Sequence, residues 1–599
     1  MDLGRAWVSE CLAHHQGCKP AAASFKPTRL LYVGDRSIRL HLTENDPYSV
    51  RYCCLSHCWG GVTDIPQLRA DISVLVAGID ITKLPRSFQD AVLITRQLGV
   101  DYVWIDCLCI IQGSLEDWTT EVAVMGKVFE HAYCTIALAE AKTPHDGAFV
   151  RRDPRTSTPV RLARAAGGEL LLLPPNTQKG FAGGPDDSLS PHTVWTSNLL
   201  SRGWVFQEAL LSTRVLYFGR GLFWTCRRGQ ASDLDPTGRG LVVQGTMYGA
   251  AEEAIFPALD PGYRRKDKRT TRRGKKGGSQ SAQSELMDMF FRGQPNAGNA
   301  PGRSEYESLL ELSAHGPPKG TILDYQFHRY WIRLLGIYTR LNLTVEDDRL
   351  PALSSVAQNV MRPGWRYLAG LWEPFLPFDL VWTTTSYEKP LSPRRTENQN
   401  PTWSWASVSA TVGTNLNTMN ESGRRNTTVL IKLISANTEC RTSDPSKTGL
   451  VLSGELIIDG MLIPCSVGEE GILEHFPLHD GEGKKMGELT PDCKPPGIES
   501  GMVFVLPVLR VLGKDEWSDK PQVAYHGIGL VEKDNHFERV GYTSYSCDPV
   551  SLWPFAPDRP EYKFANSWKG GCVTAREILK FKATNHHQIN GLAVRMRPT

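Results

Sequence analysis

Between Tyr52 and Ala139 apolar runs alternate with amphipathic stretches in a rhythm that leaves few folds open. Tyr52-Cys53-Cys54-Leu55-Ser56 reads as a short buried strand, followed by a polar, glycine-bearing loop, His57-Cys58-Trp59-Gly60-Gly61. Pro85 precedes Ser87, which is expected to cap a helix running to about Leu98, with Asp90 as a shortened reciprocal capping residue. Val100 to Ile105 reads as a central strand ending at Asp106. Asp117 is the expected cap of the next helix, whose Trp118, Val122, Met125 and Phe129 recur at helical spacing. Tyr133 to Ala139 is the apolar strand that follows. Strand, helix, strand, helix, strand in about 90 residues predicts a parallel α/β sheet, because parallel neighbours need crossover connections.

The rest of the chain divides by composition. Residues 1–47 read as a lead-in: a short helix with Trp7, Val8, Cys11 and Leu12 on one face, then strands at 29–33 and 38–40 around Gly34-Asp35. The α/β domain is expected over 48–240, with an insertion near 142–195 that holds the Pro/Gly-rich run 174–191. Ser201 is the expected cap of a helix carrying Trp204, Val205, Gln207, Glu208 and Leu211, and 214–218 with 222–226 reads as a hairpin. A basic low-complexity linker is predicted at 260–302, and a helical, aromatic-rich region at 303–425 with helical periodicity over 323–341. A β-rich C-terminal module is predicted at 428–599, with strands such as 451–458 and 502–509. The expected class is therefore α/β, with an N-terminal parallel-sheet domain, a helical middle and a β-rich end.

Charge narrows the partners. The 599 residues hold 67 Lys or Arg against 64 Asp or Glu, a balance that excludes a globally basic nucleic-acid binder. The exception is 264–276, with nine basic residues and one acid, so nucleic acid is expected only through that segment. A hydrophobic fraction of 41% excludes a wholly disordered chain. Residues 1–17 lack the apolar run of a signal peptide, and no stretch approaches the ~18–20 apolar residues of a membrane span. The expectation is a cytoplasmic, reducing setting, in which the 14 cysteines serve as core thiols, metal ligands or reactive groups.

Several phrases taken together resemble a known family. They are Tyr52 to Gly60, Leu84-Pro85-Arg86-Ser87-Phe88-Gln89-Asp90-Ala91, Tyr102 to Gln112, and Ser201-Arg202-Gly203-Trp204-Val205-Phe206-Gln207-Glu208 with Arg214. In order and spacing they resemble the heterokaryon-incompatibility (HET) domain of filamentous fungi over about residues 48–233. Looser echoes continue through Asp348 to Leu353 and Trp403 to Ser407. The resemblance implies non-self recognition and a cell-death reaction when incompatible fungal cells fuse. It also brings in Toll/interleukin-1-receptor-like α/β domains, with which this domain has been compared and some of which cleave NAD. Two departures stand out: Gly113 where the family phrase commonly continues with Asp, and Ser232-Asp233 where members often carry Ser-Glu.

The residues themselves offer more than one chemistry. Asp106, at the end of an apolar strand, is placed for the carboxyl edge of a parallel sheet, where open α/β folds form ligand crevices; the plain alternative is a loop or helix cap. Arg202, Gln207 and Glu208 supply a cation, an amide and an acid within one short segment, although helical periodicity cannot put all three on one face. If they converge, Arg202 holds phosphate and Glu208 stabilises positive charge developing on a ribosyl carbon; otherwise they form an internal ion-pair network. Glu121 is the rival carboxylate. Ser56, His57 and Cys58 suggest a nucleophile, but adjacent residues of an extended segment point apart, so the thiol candidate is Cys109, which would share a strand face with Cys107 and need His57 beside it. Trp59, Trp104, Trp204 and Trp224 are candidates to wall a ring-binding pocket, or ordinary core. Gly60 and Gly61 match neither dinucleotide nor P-loop fingerprints. Cys11, His15 and Cys18, with Cys58 if the lead-in folds back, have spacing compatible with zinc; the alternative is cysteines packed on the sheet.

The resemblance therefore implies an incompatibility-type effector, expected to be regulated by its middle or tail and to cleave NAD or a related nucleotide. In this reading Glu208, Asp106 and His57 are catalytic, Ser56, Arg202 and Gln207 bind substrate with Arg202 on its phosphate, and Trp59 or Trp204 holds the base. One alternative is a stand-alone secondary-metabolism enzyme using His57, Asp106 and Glu208 as acid and base on an aromatic or polyketide-like molecule. Another is a noncatalytic recognition protein that self-associates or binds an incompatibility partner.

Overall fold

The computed structural model describes residues 1–18, 25–150, 197–233, 322–385, 391–414, 426–441, 448–514 and 521–547, apart from short stretches within these spans. It also describes 160–165, 168–172, 577–582, 591–595, Pro236, Tyr306 and Leu309. The 174–191 run and the basic linker at 260–302 lie outside the described residues. Contacts divide the chain into two units, each discontinuous in sequence. The smaller takes Met1–Cys18, Arg151–Thr193 and Arg220–Asn299; the larger takes Lys19–Val150, Val194–Gly219 and Ala300–Thr599.

In the smaller unit, helix α1 (Asp2–His14) buries Gly4, Trp7, Val8 and Cys11, the i, i+3, i+4, i+7 spacing of one helical face. Strands β7 (Val160–Ala165) and β8 (Gly168–Leu172) pair antiparallel. Strands β10 (Leu222–Cys226) and β11 (Gly229–Ser232) form a tight hairpin. Asp233 closes its open end: its amide donates to the Leu222 carbonyl at 2.9 Å, and its carboxylate accepts from the Leu222 amide at 3.1 Å. The Trp7 ring stacks on Trp224 at 6.5 Å, and Trp7 Nε1 donates to the Pro236 carbonyl at 2.7 Å.

The larger unit opens on a mixed sheet made of β1 (Arg29–Tyr32), β2 (Ser37–Leu42), β3 (Cys53–Ser56), β4 (Ile79–Asp80), β5 (Tyr102–Trp104), β6 (Cys134–Leu138) and β9 (Arg214–Phe218). Their order is β9-β6-β3-β5-β1-β2-β4. The strands β9, β6, β3 and β5 run parallel, while β1, β2 and β4 add on antiparallel beyond β5. Every residue of β3, β6 and β9 is buried, without alternation, as expected where helices cover both faces. From β3 the chain steps to β5 on one side, then crosses to β6 and β9 on the other. That reversal makes the gap between β3 and β6 the topological switch point.

The connecting helices are α2 (Ser73–Ala77), α3 (Arg86–Gln97), the single turn α4 (Asp106–Cys109), α5 (Leu115–His131) and α6 (Gly203–Leu211). Their starts differ from expectation in instructive ways. Pro85 sits at the cap of α3, and the Ser87 hydroxyl instead accepts from the Gly147 amide at 3.1 Å. Ser114 caps α5 by accepting from the Asp117 amide, which frees the Asp117 carboxylate to bind Arg29 at 2.7 Å. Arg202, not Ser201, precedes α6. Cys107 and Cys109 lie on the α4 turn and so share no strand face.

Two further helices, Ile322–Tyr338 and Pro351–Val360, belong to the same unit. A Cβ on Gly126 of α5 would lie 2.2 Å from Ser355 Cβ, so α5 and Pro351–Val360 touch backbone to side chain. Their core gathers Phe206, Leu210 and Leu211 of α6 with Trp331, Trp365, Trp372, Trp382, Trp403 and Trp405. In the Asp348–Leu353 phrase, buried Arg349 donates to the Ala410 carbonyl at 3.0 Å. In the Trp403–Ser407 phrase, Trp405 Nε1 donates to the Gly370 carbonyl at 2.9 Å.

The C-terminal part is β-rich. Strands Met502–Lys514, Ile463–Val467, Phe476–His479, Lys485–Pro491, His536–Cys547 and Pro521–Lys533 pair in that order, and the last returns to the first, closing an antiparallel barrel. Strands Lys432–Cys440, Val451–Gly460, Glu577–Lys582 and Gly591–Arg595 form a separate sheet.

Candidate functional site

The switch point places chemistry at the carboxyl edge of the parallel strands. Strand β3 ends on Ser56, and the chain turns outward through His57-Cys58-Trp59-Gly60-Gly61. Gly60 has φ +64°, and a Cβ there would stand 2.7 Å from the Lys142 carbonyl oxygen. Only glycine lets the loop after β3 lie this close to the loop after β6. One strand over, β5 delivers Asp106 into the first turn of α4.

His57, Asp106 and Trp59 come together there. Asp106 Oδ2 accepts from Trp59 Nε1 at 2.8 Å, and Oδ1 accepts from the Cys107 amide at 2.7 Å. His57 Nδ1 lies 3.9 Å from Asp106 Oδ1, and its ring meets Phe88 edge-on at 5.1 Å. Burial pushes the His57 pKa down, Asp106 opposes, and Arg202 adds to the fall, so the imidazole is neutral near pH 7. His57 Nε2 is buried without a partner.

Arg202 arrives from far along the chain. Its Nη1 donates to the His57 carbonyl oxygen at 2.5 Å, and its guanidinium lies beside the Cys58 thiol. Asn342 holds it in place, because the Gly203 amide donates to the Asn342 carbonyl and the Asn342 amide donates to the Ser201 carbonyl, both at 2.7 Å. Two turns into α6, Glu208 is 7% exposed. Burial raises its carboxyl to about 7; the Ser56 hydroxyl pulls down, Asp106 pushes up and Arg202 pulls down again. The Ser56 hydroxyl lies against that carboxyl and favours its charged form. His57, Asp106, Arg202 and Glu208 therefore form one electrostatic group, in which Asp106, its side chain 24% exposed, and Arg202 are partly open to solvent, as is Trp59 beside Asp106.

Other candidates fall elsewhere. Gln207 donates to Met125 Sδ at 3.7 Å and so faces α5. Trp204 donates from Nε1 to Asp348 at 2.9 Å and packs edge-on against Trp118. Trp104 packs on Phe129 within the sheet's cover, and Trp224 belongs to the smaller unit. Glu121 is bound by Arg29 at 3.0 Å and by the Thr28 hydroxyl. Cys109 has Glu121, Arg29 and Asp106 as its charged neighbours, and burial pushes its thiol up to about 12, opposite to what a nucleophile needs. His57, Asp106 and Cys107 have ligand atoms within 4.8 Å of one another, but burial holds the Cys107 thiol well above its ordinary range. The expected fourth partner of Cys11, His15 and Cys18 was Cys58; the structure supplies Cys226 instead, and Cys58 sits in the other unit against Arg202. Two surface hollows of the larger unit, one around His526 in the barrel and one beside Trp118 and Gln358, do not include the cluster. Asn342 and Phe88 went unnoticed in the sequence. Nothing near Asn342 marks it as a partner of Arg202, whereas Phe88 sits inside a family phrase.

Residues 52–208 match the family model described as Heterokaryon incompatibility protein (HET). The chain carries a HET domain. The match begins at Tyr52 and ends on Glu208, so the HET domain encloses His57, Asp106, Arg202 and Glu208 alike. It supports a heterokaryon-incompatibility-type role. No curated protein and no solved structure matches the chain. Among the described residues, no helix is long and apolar enough to cross a membrane.

Proposed function

We propose that the HET domain is an effector that hydrolyses NAD or a related nucleotide, and that the loss of this nucleotide drives a cell-death reaction. The observation that carries the reading is Glu208: a buried carboxyl with one unpartnered oxygen, poised near pH 7, beside Arg202 and Asp106 at the switch point. Water attacks the ribosyl carbon, the glycosidic bond breaks, and its electron pair leaves with nicotinamide. The ionised Glu208 stabilises the positive charge that develops on the ribose. Neutral His57, with Nε2 unpartnered, accepts the water proton. Arg202 offers the phosphate contact, and Trp59, reachable from solvent, the surface for the base.

The test is to incubate full-length protein with NAD, NADP and nucleoside triphosphates and to follow products by mass spectrometry. Nicotinamide release that is lost in folded Glu208→Gln supports the reading. Unchanged substrates with the wild-type protein would sink it and leave the cluster as an ion-pair lock between α6 and the loop after β3.

A further inference from the structure

The smaller unit gathers three thiols and an imidazole at one point. Cys11 lies in the last turn of α1, His15 follows that helix, and Cys18 ends the short 3-10 turn Gln16–Cys18. Backbone bonds fix this spacing, since the His15 amide donates to the Cys11 carbonyl and the Cys18 amide to the His15 carbonyl, both at 3.0 Å. Cys226 comes from a distant part of the chain, at the end of β10 where it turns into β11. One ligand atom from each of the four residues lies within 4.8 Å of every other, and His15 Nδ1 is 3.3 Å from Cys226 Sγ. Tetrahedral zinc, with bonds of about 2.3 Å to sulfur and 2.0–2.1 Å to nitrogen, sets its ligand atoms roughly 3.4–3.8 Å apart. The cluster needs only a small contraction to meet that spacing.

We propose that Cys11, His15, Cys18 and Cys226 bind one zinc ion, which clips α1 to the β10–β11 hairpin. A closed set of four protein ligands is the pattern of a structural site, with no position left for substrate. The surroundings suit a bound thiolate. The Arg227 amide bonds Cys18 and the Arg228 amide bonds Cys226, and amide donors of this kind orient and stabilise metal-bound sulfur. Three thiolates around a divalent ion leave one net negative charge, which the adjacent Arg227 and Arg228 offset. Because thiolates, not thiols, bind the metal, affinity falls as pH is lowered. The Trp7–Trp224 stack brings helix and hairpin together beside the site, and Cys11, Cys18 and Cys226 are buried while His15 remains reachable.

The test uses the full-length chain. Elemental analysis after purification in reducing buffer should find about one zinc per chain. Replacement by Co2+ should give the intense visible bands of tetrahedral cobalt and a near-ultraviolet thiolate charge-transfer band. Cys226→Ser should weaken Co2+ binding by at least about tenfold, Cys226→His should restore tetrahedral binding with a weaker thiolate band, and Cys465→Ser, in the barrel, should change nothing. The Co2+ spectrum of the wild-type protein keeps the proposal testable even if a serine variant fails to fold. No zinc with no cobalt spectrum overturns it, as does binding unaltered by Cys226→Ser. A disulfide among the three thiols in reduced protein, seen as a 2 Da loss of mass, overturns it as well.

Discussion

Arg202 Nη1 donates to the carbonyl oxygen of His57 at 2.5 Å, a bond that spans 145 residues of sequence. It ties the start of α6 to the loop after β3 and so sets Glu208 in the same electrostatic group as Asp106.

Glu208 should make stability depend on pH. Its carboxyl is raised by burial to about 7 in the folded chain, against 4.5 for its ordinary value. The folded state therefore holds a proton that the unfolded state gives up. This contribution is complete below about pH 4.5, falls as pH rises, and is gone above about pH 7. A shift of this size corresponds to something on the order of 3 kcal/mol. Urea unfolding of Glu208→Gln at pH 5 and pH 8 should show a flatter pH dependence than wild type, with the variant gaining most at pH 8.

The same ionisation sets an activity profile. If Glu208 works as a carboxylate, kcat/KM for NAD cleavage should climb through an acid limb near pH 7. Glu208→Asp should move that limb, while Glu208→Gln should abolish activity by at least about 100-fold. A pH–rate profile of the full chain reads both.

Glu121 provides the contrast. Its partners are Arg29 and Thr28, away from His57 and Arg202. Glu121→Gln leaves half-buried Arg29 paired with Asp117 at 2.7 Å and should destabilise by only about 0.5–1.5 kcal/mol. Nicotinamide release per folded molecule should be unchanged, as measured by denaturation and by assay of the same sample.

Gly60→Ala should damage the loop more than its single methyl suggests. The residue sits at φ +64° with the Lys142 carbonyl 2.7 Å from the added carbon. A cost of about 1–3 kcal/mol is expected, together with faster backbone amide exchange in residues 57–61 and 142–147.

In the barrel, Arg539 is fully buried, bonded to Asp492 at 2.8 Å and to the carbonyls of Leu380 and Trp382, with its guanidinium carbon 3.4 Å from the Trp382 ring centroid. Arg539→Leu removes all of these and leaves the buried Asp492 charge with only the longer 3.3 Å contact to Arg394. The expected loss is about 3–5 kcal/mol by chemical denaturation. Replacing Arg539 and Asp492 together by apolar residues should recover part of it.

Strands β3, β5 and β6 were legible in the sequence because strands covered on both faces are written as unbroken apolar runs. Their order was not, since the choice of side for each crossover depends on long-range packing. Helix caps misled for a related reason: Ser87 and Asp117 look like caps, but each spends its side chain on a tertiary partner, Gly147 or Arg29. Asp106 and Glu208 could be picked out as isolated acids. Their proximity depends on Asn342 anchoring Arg202, a contact across 140 residues that local periodicity does not encode. The Cys11, His15 and Cys18 spacing was readable, whereas Cys226 was one of many distant thiols until the fold chose it.

The stack of Trp7 on Trp224 has a consequence for synthesis on the ribosome. At ~5–20 residues per second, the hairpin follows α1 by roughly 10–40 s. For that interval the apolar face of α1, with Trp7, Val8 and Cys11, has no hairpin to cover it, although all four parallel strands are translated before the hairpin begins. A nascent chain stalled shortly before Leu222 would thus display α1 to chaperones, and one stalled well beyond Pro236 would have withdrawn it.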